Sequence, residues 1–161
     1  MINNKYGDEG FTILFNKEIS KASESLDFLG ELREIKSYIR LLITFINPFT
    51  YYFINDTLSG CLKVLDDIEK DYISNVSENY QVNSVIKLEK EIENLKNRLN
   101  NYKNNEVISN KVSALAEVIY TKFLKLERLY YKLKLNKKYQ SYLNRISDYF
   151  YLLKDFLNKE M

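Results

Sequence analysis

The sequence contains no histidine, only one cysteine and only one proline. Without an imidazole, the chain cannot assemble a histidine-based serine or cysteine hydrolase, or a helical Glu-x-x-His metal site. Cys61 lacks a second cysteine with which to form an intramolecular disulfide or a zinc knuckle, and a reducing compartment suits it. The first eight residues lack the apolar core of a secretory signal. We therefore expect a cytoplasmic protein.

The sequence also lacks a charge excess of either sign and a long apolar run. Lys and Arg number 24 against 22 Asp and Glu, interspersed along the chain, for a net charge of +2. Such a balance offers no broad basic face, so a nucleic-acid partner is not expected. The most apolar window, residues 38–54, contains Arg40, Asn47 and Pro48 and is too short to span a bilayer. It predicts a buried helix end or a subunit contact, with an interfacial membrane helix as the alternative.

Only four glycines and one proline interrupt 161 residues, a length that suits one domain, and long helices are expected. Apolar residues recur at spacings of three and four. The predicted fold class is all-α, an antiparallel four- or five-helix bundle. Residues 1–18 would form a glycine-containing N-terminal loop and residues 19–161 the bundle. The first predicted helix begins near Ser20 or Ser23 and ends at Pro48, and the second runs from about Tyr52 to the polar stretch 74–79. The third has its apolar stripe at 85–102, with a linker at 100–105. The fourth and fifth have their stripes at 112–133 and 142–156.

A glycine turn lies near the amino terminus, where Gly7 and Gly10 are three residues apart beside Lys5 and Thr12. Glycines allow a sharp turn whose backbone N–H groups point at one anion, and a lysine adds a positive charge. The pattern fits a triphosphate. An ordinary surface turn of the Gly-Asp-x-Gly type remains the alternative.

Two later polar clusters fall within predicted helices. Glu127 and Arg128 lie together in the fourth helix. Asn144 and Asp148 lie four residues apart in the fifth and share one face. Each cluster is compatible with a ligand site or with a solvated polar stripe.

In combination these segments resemble ATP:cob(I)alamin adenosyltransferases of the trimeric helical-bundle type, over nearly the whole chain. The longest match is Tyr-Leu-Asn-Arg-Ile-Ser-Asp-Tyr-Phe at 142–150, which is similar to the closing motif of that family. The others, in chain order, are Gly-Asp-Glu-Gly-Phe-Thr at 7–12, Ser-Lys at 20–21, Leu-Gly-Glu-Leu-Arg-Glu-Ile-Lys-Ser at 29–37 and Glu-Arg at 127–128.

The resemblance implies a homotrimer that binds ATP between two subunits, where the cobalt of cob(I)alamin attacks the 5′ carbon and expels triphosphate. Such chemistry needs cations and backbone donors around the leaving group and an apolar platform for the corrin ring. Magnesium would arrive with ATP, with no metal site formed by the protein alone. The implied ATP-binding residues are Gly7, Asp8, Gly10 and Thr12 in a phosphate loop, Lys21 beside the phosphates, and Glu127, Arg128 and Asn144 facing the nucleotide.

The chain departs from the family on the side implied for the corrinoid. Arg33 replaces an aspartate and Leu124 replaces an arginine, so a pair expected across the subunit boundary is lost as a unit, which folding tolerates. Arg33 then needs a new acidic partner, and Glu117 is a candidate. The family's Pro-Gly-Gly segment is also unrecognisable at 104–110. An adenosyltransferase, a catalytically silent scaffold that retains the trimer and ATP binding, and an unrelated helical interaction protein remain as alternatives.

Overall fold

The computed structural model of the protein describes residues 7–74, 83–100 and 107–161. These residues form a two-stranded hairpin followed by a bundle of five α-helices, with a short 3-10 helix (Lys137–Tyr139) before the last. The elements are β1 (Phe11–Leu14), β2 (Lys17–Ser20), α1 (Glu24–Phe45), α2 (Tyr52–Ser74), α3 (Asn83–Leu99), α4 (Lys111–Lys132) and α5 (Gln140–Glu160).

The predicted all-α fold is confirmed, and the helix bounds agree with the sequence signals. Ser23 is the N-cap residue of α1, and Ile46 ends that helix two residues before Pro48. Asn110 caps α4, since its side chain accepts a hydrogen bond from the Ser113 amide at 2.8 Å. Most of the predicted linker at 100–105 lies outside the described residues.

Neighbouring helices run in opposite directions. Along α1 from Arg33 to Lys36, the ion-pair partners on α2 go back from Glu69 to Asp66. In the same way α1 pairs antiparallel with α4, and α4 with α5. Helix α5 packs against α3 as well as α4. The result is the antiparallel arrangement that short connections favour.

The core consists of the apolar stripes that the 3–4 spacing predicts. Phe28, Phe123, Tyr149 and Phe150 are fully buried at the centre, and Phe123 stacks on Phe150 at 5.4 Å between ring centroids. Burying each side chain of this size contributes roughly 1.5–3 kcal/mol. The apolar window 38–54 is divided between α1 and α2, and its Ile39, Leu42, Ile46 and Ile54 are buried. No helix among the described residues is long and apolar enough to cross a bilayer.

The hairpin is a feature that the sequence pattern does not predict. Its strands pair antiparallel, from Phe11 opposite Ser20 to Leu14 opposite Lys17. Phe15 and Asn16 form the two-residue turn, with φ of 55° and 57°. Four-residue strands give too short an alternation to detect, and the turn lacks the Asn-Gly or Asp-Gly pair that usually signals such a connection. The conformation of residues 11–20 therefore depends on the backbone pairing between β1 and β2.

Candidate functional site

The glycine turn is closed by backbone hydrogen bonds at the base of the hairpin. The Gly10 amide donates to the Gly7 carbonyl at 3.2 Å, and the Lys21 amide donates to the Gly10 carbonyl at 2.8 Å. Gly10 has φ of +84°, a conformation that residues with a Cβ rarely adopt. The turn is thus held by the ladder of β1 and β2, and it requires glycine at position 10.

Lys21 bends back over this turn. Its Nζ donates to the Gly7 carbonyl oxygen at 2.6 Å, and a Cβ placed at Gly7 would lie 2.7 Å from the same Nζ. Asp8 is exposed beside the turn, and Thr12 is half-buried in β1, opposite Ile19. The structure therefore brings Lys21 to the predicted phosphate loop, 14 residues away in sequence, and leaves its ammonium exposed.

Glu127 and the α5 cluster come together on a second surface. Glu127 is half-buried on α4, and burial, followed by the charge of Asp148, raises the pKa of its carboxyl, although Arg128 acts in the opposite direction. Asn144 and Asp148 are exposed one turn apart on α5. Arg145 donates to Asp148 at 3.3 Å. Sequence alone places Asp148 near Asn144 but not near Glu127, because that contact depends on how α4 packs on α5.

The two surfaces lie on different elements of the chain, the first on the amino-terminal turn and the second on α4 and α5. Among the residues that the structure describes, no hydrogen bond or ion pair joins the glycine turn or Lys21 to Glu127, Arg128 or Asn144. Each surface has groups suited to a polyanion or a nucleotide. The glycine turn offers backbone donors and an ammonium, and the helical surface offers a guanidinium and an amide.

Arg33 has a partner in its own chain, which is Glu69 on α2 and not the candidate Glu117. Arg33 Nε lies 2.8 Å from Glu69 Oε1, and Lys36 also donates to Glu69. Partial burial alone would raise the pKa of Glu69, but the hydrogen bonds from Lys36 and Arg33 outweigh it and hold that pKa below its ordinary value. The sequence does not give this pairing, because the register that places position 33 opposite position 69 is set by how α1 packs on α2.

Leu124, at the other altered position, is half-buried on α4. The cation nearest in sequence is Lys125, whose Nζ lies 2.7 Å from Oε2 of the buried Glu31. Lys122 is paired with Glu31 and Glu34, at 3.4 Å and 2.8 Å. Glu31 and Glu34 are therefore paired with lysines of α4 in the same chain, although among the described residues Glu31 Oε1 has the 3.4 Å ion pair with Lys122 and no hydrogen bond.

A cavity of about 500 Å³ opens between the hairpin tip and the ends of α2 and α4. Its polar side is Asp71, which accepts hydrogen bonds from Lys138 Nζ at 2.8 Å and Tyr139 OH at 2.7 Å. No residue of the predicted ATP site lines it. The lining residues are Phe15, Ser25, Ile68, Asp71, Tyr72, Tyr130, Leu133, Leu135, Asn136, Lys138 and Tyr139.

Comparison with known proteins gives both a family and a fold. The family model described as Cobalamin adenosyltransferase matches residues 2–157. A variant PduO-type ATP:co(I)rrinoid adenosyltransferase from Lactobacillus reuteri, solved with ATP, is 23% identical with a TM-score of 0.84, covering 98% of this chain and 94% of that chain. Two further variants of the PduO-type ATP:corrinoid adenosyltransferase from that organism, complexed with cobalamin and ATP, give TM-scores of 0.81 and 0.80 at 22% and 21% identity. They cover 99% of this chain and 91% and 94% of theirs. No curated protein matches.

Proposed function

This chain belongs to the cobalamin adenosyltransferase family, and we propose that it transfers the 5′-deoxyadenosyl group of ATP to a reduced corrinoid. In the reaction, the cobalt(I) electron pair attacks the 5′ carbon of ATP and forms the cobalt–carbon bond. The bond from that carbon to the triphosphate oxygen breaks, and triphosphate leaves with its electron pair. The protein must then stabilise negative charge on the leaving group.

The observation that carries the proposal is Lys21 folded onto the glycine turn. Its Nζ is 2.6 Å from the Gly7 carbonyl oxygen and exposed to solvent, so it can exchange that contact for a phosphate oxygen. The turn between Gly7 and Gly10 adds backbone N–H groups, whose dipoles favour an anion. Asp8 and Thr12 flank the same turn, and Thr12 supplies a hydroxyl donor. This arrangement fits the triphosphate end of ATP.

The nucleoside end is assigned to Glu127, Arg128 and Asn144. The family resemblance implies a site between two subunits, and no hydrogen bond or ion pair among the described residues joins these side chains to the glycine turn of their own chain. We therefore propose that a second copy supplies them and that the protein is a homotrimer with shared sites. Light scattering tests this assembly. A clean monomer that still binds ATP would contradict the shared site.

Magnesium enters this proposal as the ion of Mg-ATP, which neutralises part of the triphosphate charge. A cytoplasmic location also belongs to the proposal. Cys61 is a free, buried thiol whose pKa burial raises to about 12, so it stays protonated and inert. A reducing compartment is compatible with such a residue.

A catalytically silent protein that binds ATP is the second candidate, and Arg33 is the observation that favours it. Where the family resemblance implies a charged pair between subunits, Arg33 is bound to Glu69 of its own chain and position 124 carries an uncharged leucine. Both changes lie on the side implied for the corrinoid. The silent protein would keep the glycine turn and lose productive corrinoid binding.

Two measurements separate these candidates. Calorimetry with Mg-ATP should show binding that Lys21→Ala or Arg128→Ala weakens by about tenfold, the loss expected from one charge-assisted hydrogen bond. The visible spectrum of chemically reduced cobalamin, followed with ATP and protein, then tests transfer. A spectral change to the alkylated corrinoid supports the enzyme. ATP binding without that change supports the silent protein, and no ATP binding contradicts both.

A further inference from the structure

Phe15 occupies a backbone conformation that a bulky residue adopts only at a cost. It is the first residue of the hairpin turn, with φ of 55°, where Asn, Asp or Gly is the usual choice. The second turn residue is Asn16, which tolerates its φ of 57°. A phenylalanine at this position therefore needs a compensating contact.

That contact is with the bundle. The Phe15 ring meets the Tyr72 ring of α2 edge-on, with centroids 5.3 Å apart and an interplanar angle of 79°. Tyr72 in turn packs edge-on against the fully buried Phe28 at 4.9 Å. Phe15 thus lies at the rim of the 500 Å³ cavity and connects the hairpin tip to the core through an aromatic series.

Among the described residues, no ring contact joins Phe11 of β1 to the bundle. Phe11 and Ile13 are exposed at 45% and 60% and Phe15 at 38%, whereas Leu14, next to Phe15, is half-buried against the core. The hairpin is therefore attached to the bundle in two places, by packing at its tip and by the chain connection from Lys21 to the N-cap Ser23 of α1 at its base. The glycine turn and Lys21 lie at the opposite end, roughly 13 Å away for four residues of strand.

The β-ladder can transmit this attachment along the hairpin. Four residue pairs join the strands, and the Lys21 amide extends the ladder by donating to the Gly10 carbonyl at 2.8 Å. Lys21 Nζ then reaches the Gly7 carbonyl. A paired ribbon fixed both at its junction with α1 and at its tip keeps one direction, whereas a ribbon released at the tip can pivot about that junction and sample many directions.

We propose that Phe15 is a positioning residue for the phosphate site. By docking on Tyr72 it holds the hairpin against the bundle, and the hairpin presents the glycine turn and Lys21 in the orientation that ATP requires. This role rests on the proposed function, because it assigns the triphosphate to that turn. The role assigned to Phe15 is to position the turn, and it requires no contact between its ring and ATP or corrinoid. Its removal should lower the fraction of chains with a correctly oriented turn, and so the apparent affinity for ATP.

The test compares substitutions within the same turn. Phe15→Asn removes the ring and suits the left-handed conformation, so a turn role alone predicts unchanged or improved behaviour. Asn16→Gly is the matched control, since it also suits the turn but keeps the ring. Phe15→Tyr keeps the edge-on contact and should rescue. The measurements are ATP affinity by calorimetry and hydrogen exchange of the amides in residues 11–20.

We expect Phe15→Asn to weaken ATP binding about tenfold and to speed exchange in the hairpin, with Asn16→Gly and Phe15→Tyr within about twofold of the parent. Equal ATP affinity in Phe15→Asn and the parent would overturn the proposal. If the parent protein itself fails to bind ATP, the proposed function and the positioning role both fail. In that case the hydrogen-exchange data still test whether Phe15 docks the hairpin on the bundle. Unchanged protection of the amides in residues 11–20 in Phe15→Asn would refute that docking.

Discussion

Lys36 is the buried member of an ion-pair network between α1 and α2, and its removal should destabilise the fold. Its side chain is only 8% exposed, between Asp66 at 2.8 Å and Glu69. Replacing it with methionine leaves Glu69, 14% exposed, with Arg33 as its remaining partner, and leaves Asp66 unpaired but 45% exposed.

The expected decrease in the free energy of unfolding on replacing Lys36 lies between two limits. Breaking a fully buried pair costs roughly 3–5 kcal/mol, and breaking an exposed pair roughly 0–1 kcal/mol. Because Glu69 retains Arg33 and Asp66 is half in solvent, we expect Lys36→Met to lower the free energy of unfolding by about 2 kcal/mol. For a chain of this size that corresponds to a Tm decrease of about 4–8 °C.

The loss of unfolding free energy caused by Lys36→Met should depend on pH in a defined direction. Burial alone would lower the pKa of Lys36, but its hydrogen bonds and charge interactions with Asp66 and Glu69 hold that pKa above 10.5. Its contribution is therefore complete below 10.5 and lost as the pH rises through the folded pKa. The pKa of Glu69 is held below 4.5, so its contribution is present above 4.5 and lost as the pH falls through the folded pKa. Lys36→Met should cost most between these values.

Urea unfolding near pH 7 and near pH 3 provides the assay, with Lys63→Met at an exposed position of α2 as the control. Adding Glu69→Gln to Lys36→Met should recover part of the loss, since no buried carboxylate is then left without its lysine. Two results would contradict this role of Lys36. One is that Lys36→Met lowers the free energy of unfolding no more than Lys63→Met near pH 7, and the other is that the loss caused by Lys36→Met is the same near pH 3.

Three further outcomes are expected. Glu127→Gln should stabilise the fold above about pH 4.5 and lose this effect below it. The reason is that the folded pKa of Glu127 is raised, so ionisation of its carboxyl opposes folding. Unfolding measured across pH tests the sign of this effect. Asn110→Ala should cost about 1–2 kcal/mol in urea unfolding, through loss of the cap to Ser113 and the bond to Leu157, and an unchanged midpoint would contradict the capping role. Gly30→Ala, in open space within α1, should raise stability by about 0.5–1 kcal/mol, whereas Gly10→Ala, at φ +84°, should lower it; thermal scans that rank the two in reverse would refute the backbone argument.

The helices were predictable because their signals are local. Apolar spacing along α1, Ser23 before it and Pro48 after it all act within a few residues, and the structure follows them. The hairpin was not predictable in this way. Its strands are too short to show an alternation, and Phe15 is an unusual turn residue whose cost is offset by Tyr72, 57 positions later in the chain.

The candidate site, like the fold, was predictable in part from the sequence. The glycine turn, Lys21, Glu127, Arg128 and Asn144 are proposed to bind ATP because the order and type of these residues resemble the family, whereas each motif alone left an alternative open. Their spatial relations depend on packing. How Lys21 folds back on the turn could not be read from the motif.

By itself the sequence determined the helical class and, to within a few residues, the helix bounds, since both depend on backbone geometry over a few residues. Only the tertiary structure decided that Arg33 binds Glu69, that burial and the charge of Asp148 raise the pKa of Glu127, and that Phe15 docks on Tyr72. These contacts join different elements, and ion pairs, pKa values and ring packing all vary with distances that only the assembled fold defines.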